Sequence, residues 1–166
     1  NGSEKIAEAA GFIERLRKAN KPFLFLTNNS TSKNEDVVDK LKKVSDVEAY
    51  PQEVFTSTMA TISHLEKNNL NRVFMIGEGG LDEGLRNAGF EISDQEVDAV
   101  VVGLDREVTY KDLEKATLLI RAGAKFIATN PDTNLPTERG LVPGNGALIA
   151  FLETSTNQKA TVIGKP

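Results

Sequence analysis

Short apolar runs alternate along this chain with longer stretches in which apolar residues recur at helical spacing. Parallel strands need a crossover between them, usually a helix, so this alternation favours an α/β fold with mostly parallel sheets. The first run is continuously apolar and predicts a strand buried on both faces. The runs occupy residues 23–26, 73–76, 99–102, 126–128 and 161–163.

Amphipathic periodicity predicts a helix in each of the intervening stretches. The first helix presents Ile6, Ala10, Ile13 and Leu16 on one face. Ser32 and Glu35 have the spacing of a capping box, which predicts that the second helix begins there. A segment rich in Pro and Gly, residues 130–145, predicts a long loop. The helices after the first are predicted at residues 33–44, 59–65, 81–87 (closed by Gly89), 109–121 and 147–152.

Composition excludes several classes of function. The net charge of −4 gives no general attraction to nucleic acid or to an anionic membrane surface, and no apolar run has the length of a membrane span. The absence of cysteine excludes disulfides, thiolate zinc sites and cysteine nucleophiles. His64 is the only histidine, so no histidine metal cluster forms. We expect a cytoplasmic protein, and because Asn1 is not Met we expect that it is not the natural start.

Polar side chains follow the first and the last predicted strands. Thr27 and Asn28 come directly after the first strand, and Lys165 comes after the last. Ligands bind beyond the carboxyl ends of strands in open α/β sheets, and a hydroxyl, an amide and an ammonium can together bind a phosphate. Taken singly, these residues also fit an ordinary polar loop and a solvated turn lysine.

Two further loops follow predicted strands. Residues 77–81 are rich in glycine, but Asp82 stands where a dinucleotide-binding G-x-G-x-x-G would have its third glycine, so a tight strand-to-helix turn fits better. A nucleotide-binding protein that uses this loop remains an alternative. Asn130 and Asp132 lie just beyond the strand at 126–128, in a loop that is either functional or merely a connection stiffened by proline.

Together these segments resemble the haloacid dehalogenase superfamily of phosphatases, in its NagD-like, 4-nitrophenylphosphatase-like branch. Residues 26–30 resemble the second conserved motif of that superfamily, and Gly164, Lys165 and Pro166 resemble the third. The segments between them are similar to the same branch in the usual order, and the resemblance covers essentially the whole chain. These segments are residues 55–57, 76–81, 101–105, 128–132 and 143–146.

The resemblance implies a Rossmann-like parallel-sheet core with an inserted α/β cap domain. Residues 1–69 would be a partial core, 70–158 the cap, and 159–166 the return to the core. The implied activity is Mg²⁺-dependent hydrolysis of small phosphate monoesters through an aspartyl-phosphate intermediate. Thr27, Asn28 and Asn29 would bind the phosphoryl group, and Lys165 would be the catalytic cation that stabilises the anionic nucleophile and intermediate.

The family's catalytic aspartates have no counterparts here. No D-x-D occurs in the 166 residues, so we expect the nucleophile and the Mg²⁺ ligands outside this stretch, and we predict no turnover by the stretch alone. The loop at 133–139 would face the core, with Asn130, Asp132 and Arg139 as candidates for contacting the leaving group. We expect a small phosphorylated metabolite as partner and a possible homodimer. The alternative is a non-catalytic α/β module that binds a phosphorylated small molecule.

Overall fold

The structure is a computed structural model that describes residues 8–165, so Ile6 and Pro166 lie outside the described residues. The described residues form six α-helices, one short 3₁₀ helix (Pro51–Glu53) and nine strands. The α-helices are α1 (Ala9–Lys18), α2 (Asn34–Ser45), α3 (Ser57–Lys67), α4 (Gly79–Asn87), α5 (Tyr110–Arg121) and α6 (Asn145–Thr156). The strands are β1 (Phe25–Thr27), β2 (Val54–Thr56), β3 (Arg72–Ile76), β4 (Glu91–Ile92), β5 (Ala99–Val102), β6 (Lys125–Ala128), β7 (Asn134–Thr137), β8 (Gly140–Pro143) and β9 (Thr161–Val162).

The strands form two parallel sheets and one hairpin. The larger sheet has the order β4-β3-β5-β6-β9, and every pair in it is parallel. The smaller sheet pairs β1 with β2, also in parallel, and β7 and β8 form an antiparallel hairpin. This arrangement confirms the predicted α/β class. We refer to residues 8–67 as the small-sheet region and to residues 72–163 as the large-sheet region.

The centre of the larger sheet is buried on both faces. All four residues of β5 are buried, and alternate residues point to opposite sides of the sheet. Val100 and Val102 pack in a cluster with α5 and α6, whereas Ala99 and Val101 pack in a second cluster with α4. Leu65 of α3 joins the second cluster, so the small-sheet region is held against the larger sheet through this helix.

The smaller sheet is open on one face. The prediction that the run at residues 23–26 is buried on both faces is wrong, because Leu24 and Leu26 are 57% and 54% exposed. The strand itself begins later, at Phe25. The reason is that β1 pairs with β2 alone among the described strands, and no described helix covers the face that carries the two leucines.

Turns that lead from a helix into the next strand contain residues with a left-handed backbone. Gly89, with φ of +87°, ends α4 as predicted, and Gly123 has φ of +110° after α5. These turns lie at the amino-terminal edges of the parallel sheets, because each precedes a strand. The non-glycine residues with a left-handed backbone after helices are Asn20, Asp46, Asn69 and Asn157.

Several local predictions are corrected. The capping contact of α2 is shifted by one residue, since the backbone N–H of Lys33 donates to the carboxylate of Asp36 at 3.0 Å. The segment predicted as a long loop contains the hairpin β7–β8 and the beginning of α6. The predicted last strand is present as β9, which pairs with β6 at the edge of the larger sheet. Within residues 8–165, no helix combines the length and the apolarity needed to cross a bilayer.

Candidate active site

A cleft of about 580 Å³ lies between the carboxyl-terminal edges of the two parallel sheets. The small-sheet region contributes Thr27 at the end of β1, residues 28–31 that follow it, and Lys40 of α2. The large-sheet region contributes loops that follow β5, β6 and β9, together with part of the hairpin. The site is thus built where parallel α/β sheets usually place their ligands.

The segment after β1 is folded by its own side chains. The hydroxyl oxygen of Thr27 accepts a hydrogen bond from the N–H of Asn29 at 3.1 Å, so its own hydrogen can be donated to a ligand. The side-chain carbonyl of Asn29 accepts from the N–H and the hydroxyl of Thr31 at 2.8 and 2.9 Å, and its amide donates to Ser32. Asn29 therefore shapes the loop that presents Thr27.

Asn28 joins three distant segments. Its side-chain carbonyl accepts a hydrogen bond from the N–H of Lys165 at 2.8 Å. Its amide donates to the carboxylate of Asp132 at 3.0 Å and to the carbonyl of Lys165 at 3.4 Å. These bonds place the end of β9 and the loop after β6 beside β1. The side-chain donors of Asn28 are therefore engaged within the protein.

The ammonium of Lys165 lies beside the end of β1. Its Nζ donates to the carbonyl of Leu26 at 3.3 Å, which places it next to Thr27, and both residues line the cleft. An ammonium has three donors, so others remain for an anion. The structure thus brings Thr27, Asn28 and Lys165 together although 137 positions separate Asn28 from Lys165 in the sequence.

Gly164 permits the close approach of Lys165 to Asn28. A Cβ atom at position 164 would lie 2.6 Å from the carbonyl oxygen of Thr129 and 2.8 Å from the side-chain oxygen of Asn28. These separations are far below van der Waals contact, so any larger residue would push the end of β9 away from β1. The glycine that precedes the lysine is required by packing.

The loop after β6 is fixed by a buried amide network. Asn130 donates to the carbonyl of Asn28 at 3.0 Å, and its side-chain oxygen accepts the N–H of Asp132 at 3.1 Å. Asn145, at the start of α6, donates to the carbonyls of Val102 and Asn130 at 3.0 and 2.9 Å. Asn130 and Asp132 both line the cleft; the side chain of Asn130 is held by this network, and Asp132 has one oxygen bonded to Asn28.

The two arginines of the large-sheet loops differ in position. Arg139, predicted to contact the leaving group, lies exposed in the turn of the hairpin and does not line the cleft. Arg106, which the sequence analysis did not single out, follows β5 and lines the cleft. Its position just beyond a predicted strand was the signal that could have identified it. Lys40 was also missed, because it looks like part of a solvated helix face.

The glycine-rich loop after β3 packs against the small-sheet region. The N–H of Gly80 donates to the carbonyl of Thr31 at 3.2 Å. A Cβ on Gly80 would lie 2.5 Å from the carbonyl carbon of Thr31. This close packing supports a tight strand-to-helix turn over a nucleotide-binding loop.

The described residues do not supply a magnesium site. Mg²⁺ prefers carboxylate and other oxygen ligands, and among the residues that the structure describes Asp132 is the one carboxylate that lines the cleft. Across residues 8–165 there is no group of three or more His, Cys, Asp or Glu side chains that could hold a metal ion. No step of a reaction is therefore assigned to a metal held by these residues.

Comparisons with known proteins agree with the geometry. Residues 1–91 match the haloacid dehalogenase-like hydrolase family. The chain is 46% identical over 168 residues to the acid sugar phosphatase of Staphylococcus haemolyticus (strain JCSC1435), covering 99% of this chain and 63% of that protein. It is 43% identical over 167 residues to the 5'-nucleotidase YutF of Bacillus subtilis (strain 168), covering 100% of this chain and 65% of that protein.

The fold is also that of a solved relative. NagD from E. coli K-12 superposes with a TM-score of 0.93 at 32% identity, covering 100% of this chain and 65% of NagD. This chain thus spans less than two thirds of the length of these relatives. The similarity confirms the resemblance to the NagD-like branch. The chain belongs to the haloacid dehalogenase-like hydrolase family.

Proposed function

We propose that this chain binds the phosphoryl group in a phosphatase that hydrolyses small phosphate monoesters. The observation that carries the proposal is the convergence of Thr27 and Lys165 at one end of a cleft between two sheets. The names of the relatives, acid sugar phosphatase and 5'-nucleotidase, support a phosphorylated metabolite as substrate. A cytoplasmic location and a homodimer stay predictions.

The chain's own residues account for anion binding. The hydroxyl of Thr27 has a hydrogen to donate, because its oxygen already accepts the N–H of Asn29. The ammonium of Lys165 is a compact charge that offsets the negative charge of a phosphoryl group. Asn28 holds the backbone of Lys165 in place, and Asn29 holds the loop of Thr27, so the two groups are organised before a ligand binds.

The covalent chemistry is proposed from the family resemblance alone. An aspartate would attack phosphorus and Mg²⁺ would shield the charges, but the 166 residues contain no D-x-D. The division into a partial core at 1–69, a cap at 70–158 and a return to the core at 159–166 is likewise a proposal. We expect no hydrolysis by this stretch alone, since electrostatic stabilisation without a nucleophile forms no covalent intermediate.

Calorimetric titration with inorganic phosphate tests the binding role. Replacement of Lys165 by Met removes a charge-assisted hydrogen bond, which is worth about 1.5–3 kcal/mol, so affinity should fall roughly 10- to 100-fold. Lys125→Met is the matched control, because Lys125 is an exposed lysine at the amino-terminal end of β6, on the opposite edge of the sheet. The proposal would be contradicted if both variants lowered the affinity for phosphate equally, or if neither variant lowered it.

Hydrolysis is tested on the full-length gene product with 4-nitrophenyl phosphate, in the presence and absence of Mg²⁺. The enzyme proposal expects turnover that Lys165→Met abolishes and Lys125→Met retains. Retained phosphate binding without hydrolysis under both conditions would instead favour the non-catalytic binding module.

A further inference from the structure

Arg106 is a second cation in the cleft, and it stands on a different wall from Lys165. It follows β5, whereas Lys165 follows β9, and β6 lies between these two strands in the larger sheet. Neighbouring strands are about 4.8 Å apart, so the ends of β5 and β9 are separated by about 10 Å.

The two side chains are hydrogen-bonded to different parts of the molecule. Arg106 Nη1 donates to both carboxylate oxygens of Glu78, at 2.7 and 2.9 Å. Glu78 follows β3, on the far side of β5 from β9. The ammonium of Lys165 instead bonds to Leu26 in the small-sheet region. One phosphoryl group beside Thr27 and Lys165 therefore leaves Arg106 available for another part of the ligand.

Glu78 holds Arg106 in one orientation. The carboxylate also accepts the backbone N–H of Arg106 at 3.3 Å, and the N–H of Glu78 donates to the carbonyl of Leu104 at 3.2 Å. Because this ion pair is partly exposed, Glu78 offsets only part of the positive charge of Arg106. The hydrogen bonds to Glu78 also restrict the orientation of the Arg106 side chain. Within residues 8–165 the Nε and Nη2 atoms of Arg106 have no hydrogen-bond acceptor, which leaves a planar set of donors for a ligand.

The charges that line the cleft favour a ligand with more than one negative group. Of the side chains at positions 8–165, the cations Lys40, Arg106 and Lys165 line it, against the single carboxylate of Asp132. Asp132 accepts the amide of Asn28, so part of its hydrogen-bonding capacity is already satisfied. Because three of the four charged side chains that line the cleft among the described residues are cations, the cleft concentrates anions and favours those whose charges match the spacing of these cations.

We propose that Arg106 determines substrate specificity by binding a second anionic group, so that the preferred substrates are phosphate monoesters with a carboxylate or a second phosphate at their other end. The proposal rests on the proposed function, because it takes Thr27 and Lys165 as the phosphoryl site. It gives Arg106 the leaving-group contact that the sequence had suggested for Arg139.

Binding calorimetry with matched ligand pairs tests the proposal. Gluconate 6-phosphate and glucitol 6-phosphate are both open-chain and differ in a carboxylate against a hydroxymethyl group. Fructose 1,6-bisphosphate and fructose 6-phosphate differ in a second phosphate. A charge-assisted contact to Arg106 should make at least one ligand with the second anionic group bind about 10- to 100-fold more tightly than its partner. The pair that shows the preference tells whether the carboxylate or the phosphate is recognised.

Variants identify the residue responsible. Arg106→Gln should reduce the affinity ratio within the preferred pair to about one, and Arg106→Lys should restore part of it, because lysine supplies a charge without the planar fork. Arg86→Gln is the control, since Arg86 also pairs with a carboxylate, that of Asp82 in α4, but does not line the cleft. This control should keep the ratio of the unmodified chain.

Two results would overturn the inference: a ratio near one in both pairs for the unmodified chain, or an unchanged ratio in Arg106→Gln. If Arg106→Gln does not fold, the salt dependence of the unmodified chain decides. The affinity ratio within the preferred pair must fall steeply as the salt concentration rises, because salt screens the exposed Arg106. A ratio that does not change with salt would contradict the proposed role of Arg106. Failure of the proposed function is seen separately, as absence of hydrolysis by the full-length gene product, because these ratios need no turnover.

Discussion

The large-sheet and small-sheet regions are built on the same parallel pattern but are buried to different extents. In the large-sheet region β5 is buried along its whole length, between clusters on both faces. In the small-sheet region, Leu24 and Leu26 are exposed, and the buried apolar residues are few. Those few are Val47, Ala49, Val54 and Leu65.

This difference indicates where the site obtains its rigidity. The large-sheet region has its own core, so its loops start from fixed strand ends. The small-sheet region reaches that core through Leu65 and is tied to it by the hydrogen bonds of Asn28. Thr27, Asn28 and Asn29 therefore sit on the less buried region and depend on the larger one for their placement, whereas Lys165 follows β9 of the larger sheet.

The largest expected difference in the free energy of unfolding is between two leucine-to-alanine substitutions, one in each region. Leu152 of α6 is fully buried, and Leu152→Ala should lower the free energy of unfolding by about 2–5 kcal/mol because it leaves a cavity. Leu26→Ala, at an exposed position, should change it by no more than about 0.5 kcal/mol. Urea denaturation of both variants measures the difference, and similar losses would show that the contrast between the regions is wrong.

A smaller effect is expected at the junction between the regions. Gly164→Ala places a methyl group against Thr129 and Asn28, and overpacking of this kind costs about 1–3 kcal/mol. Gly79→Ala is the control, because a Cβ there meets nothing within 4 Å and alanine suits a helix better than glycine. Thermal unfolding should show a lower Tm for the first variant only, together with weaker phosphate binding. If Gly164→Ala changed neither the Tm nor the phosphate affinity, the atoms around residue 164 would be able to shift and accommodate the methyl group.

The smallest effect concerns helix capping. Hydrogen bonds run in both directions between the capping residues of α5, whereas α2 has, among the described residues, only the bond from the Lys33 N–H to Asp36. Thr109 and Asp112 exchange hydrogen bonds, and bonds from the Thr109 hydroxyl and then its backbone N–H lower the pKa of Asp112. A lowered folded pKa means that the stabilisation is present above the ordinary aspartate pKa, about 4, and is lost as the pH falls through the lower value.

Asp112→Asn should therefore cost about 1 kcal/mol at neutral pH, as capping losses do. The gap between the unmodified chain and the variant should narrow as the pH falls below about 4. Denaturation at a series of pH values measures that gap. A gap that is constant across the acid range would show that ionised Asp112 contributes no capping energy.

The sequence predicted the strands that lie in apolar runs, including the short β1 and β9, but not β2, β4 or the two strands of the hairpin. β5 and β6 lie in runs of apolar residues, whereas β4 has two residues and β2 follows directly on a turn at Pro51. The hairpin was hidden by Pro136 and Pro143, which have no N–H and are usually found outside strands. The exposure of Leu24 depends on which elements cover the strand, and composition alone does not specify this.

The site prediction was based on polar residues at or just beyond the ends of predicted strands. Thr27 and Lys165 were identified in this way, and the structure places them together, although their roles stay predictions. Arg106 was missed because its significance depends on Glu78, 28 positions earlier, which fixes its orientation. Asn28 was expected to bind phosphate, but its side chain connects Asp132 and Lys165, and only tertiary structure reveals such a link.

The left-handed turns after the helices mark positions where this molecule can accept insertions away from the cleft. Every one of them precedes a strand, so they gather on the side of the sheets remote from the cleft. A fluorophore or an epitope inserted beside Gly123 or Asn157 would project away from the ligand. Reporters can therefore be attached on that side without altering ligand binding. The loops on that side can also become longer without changing the residues that line the cleft.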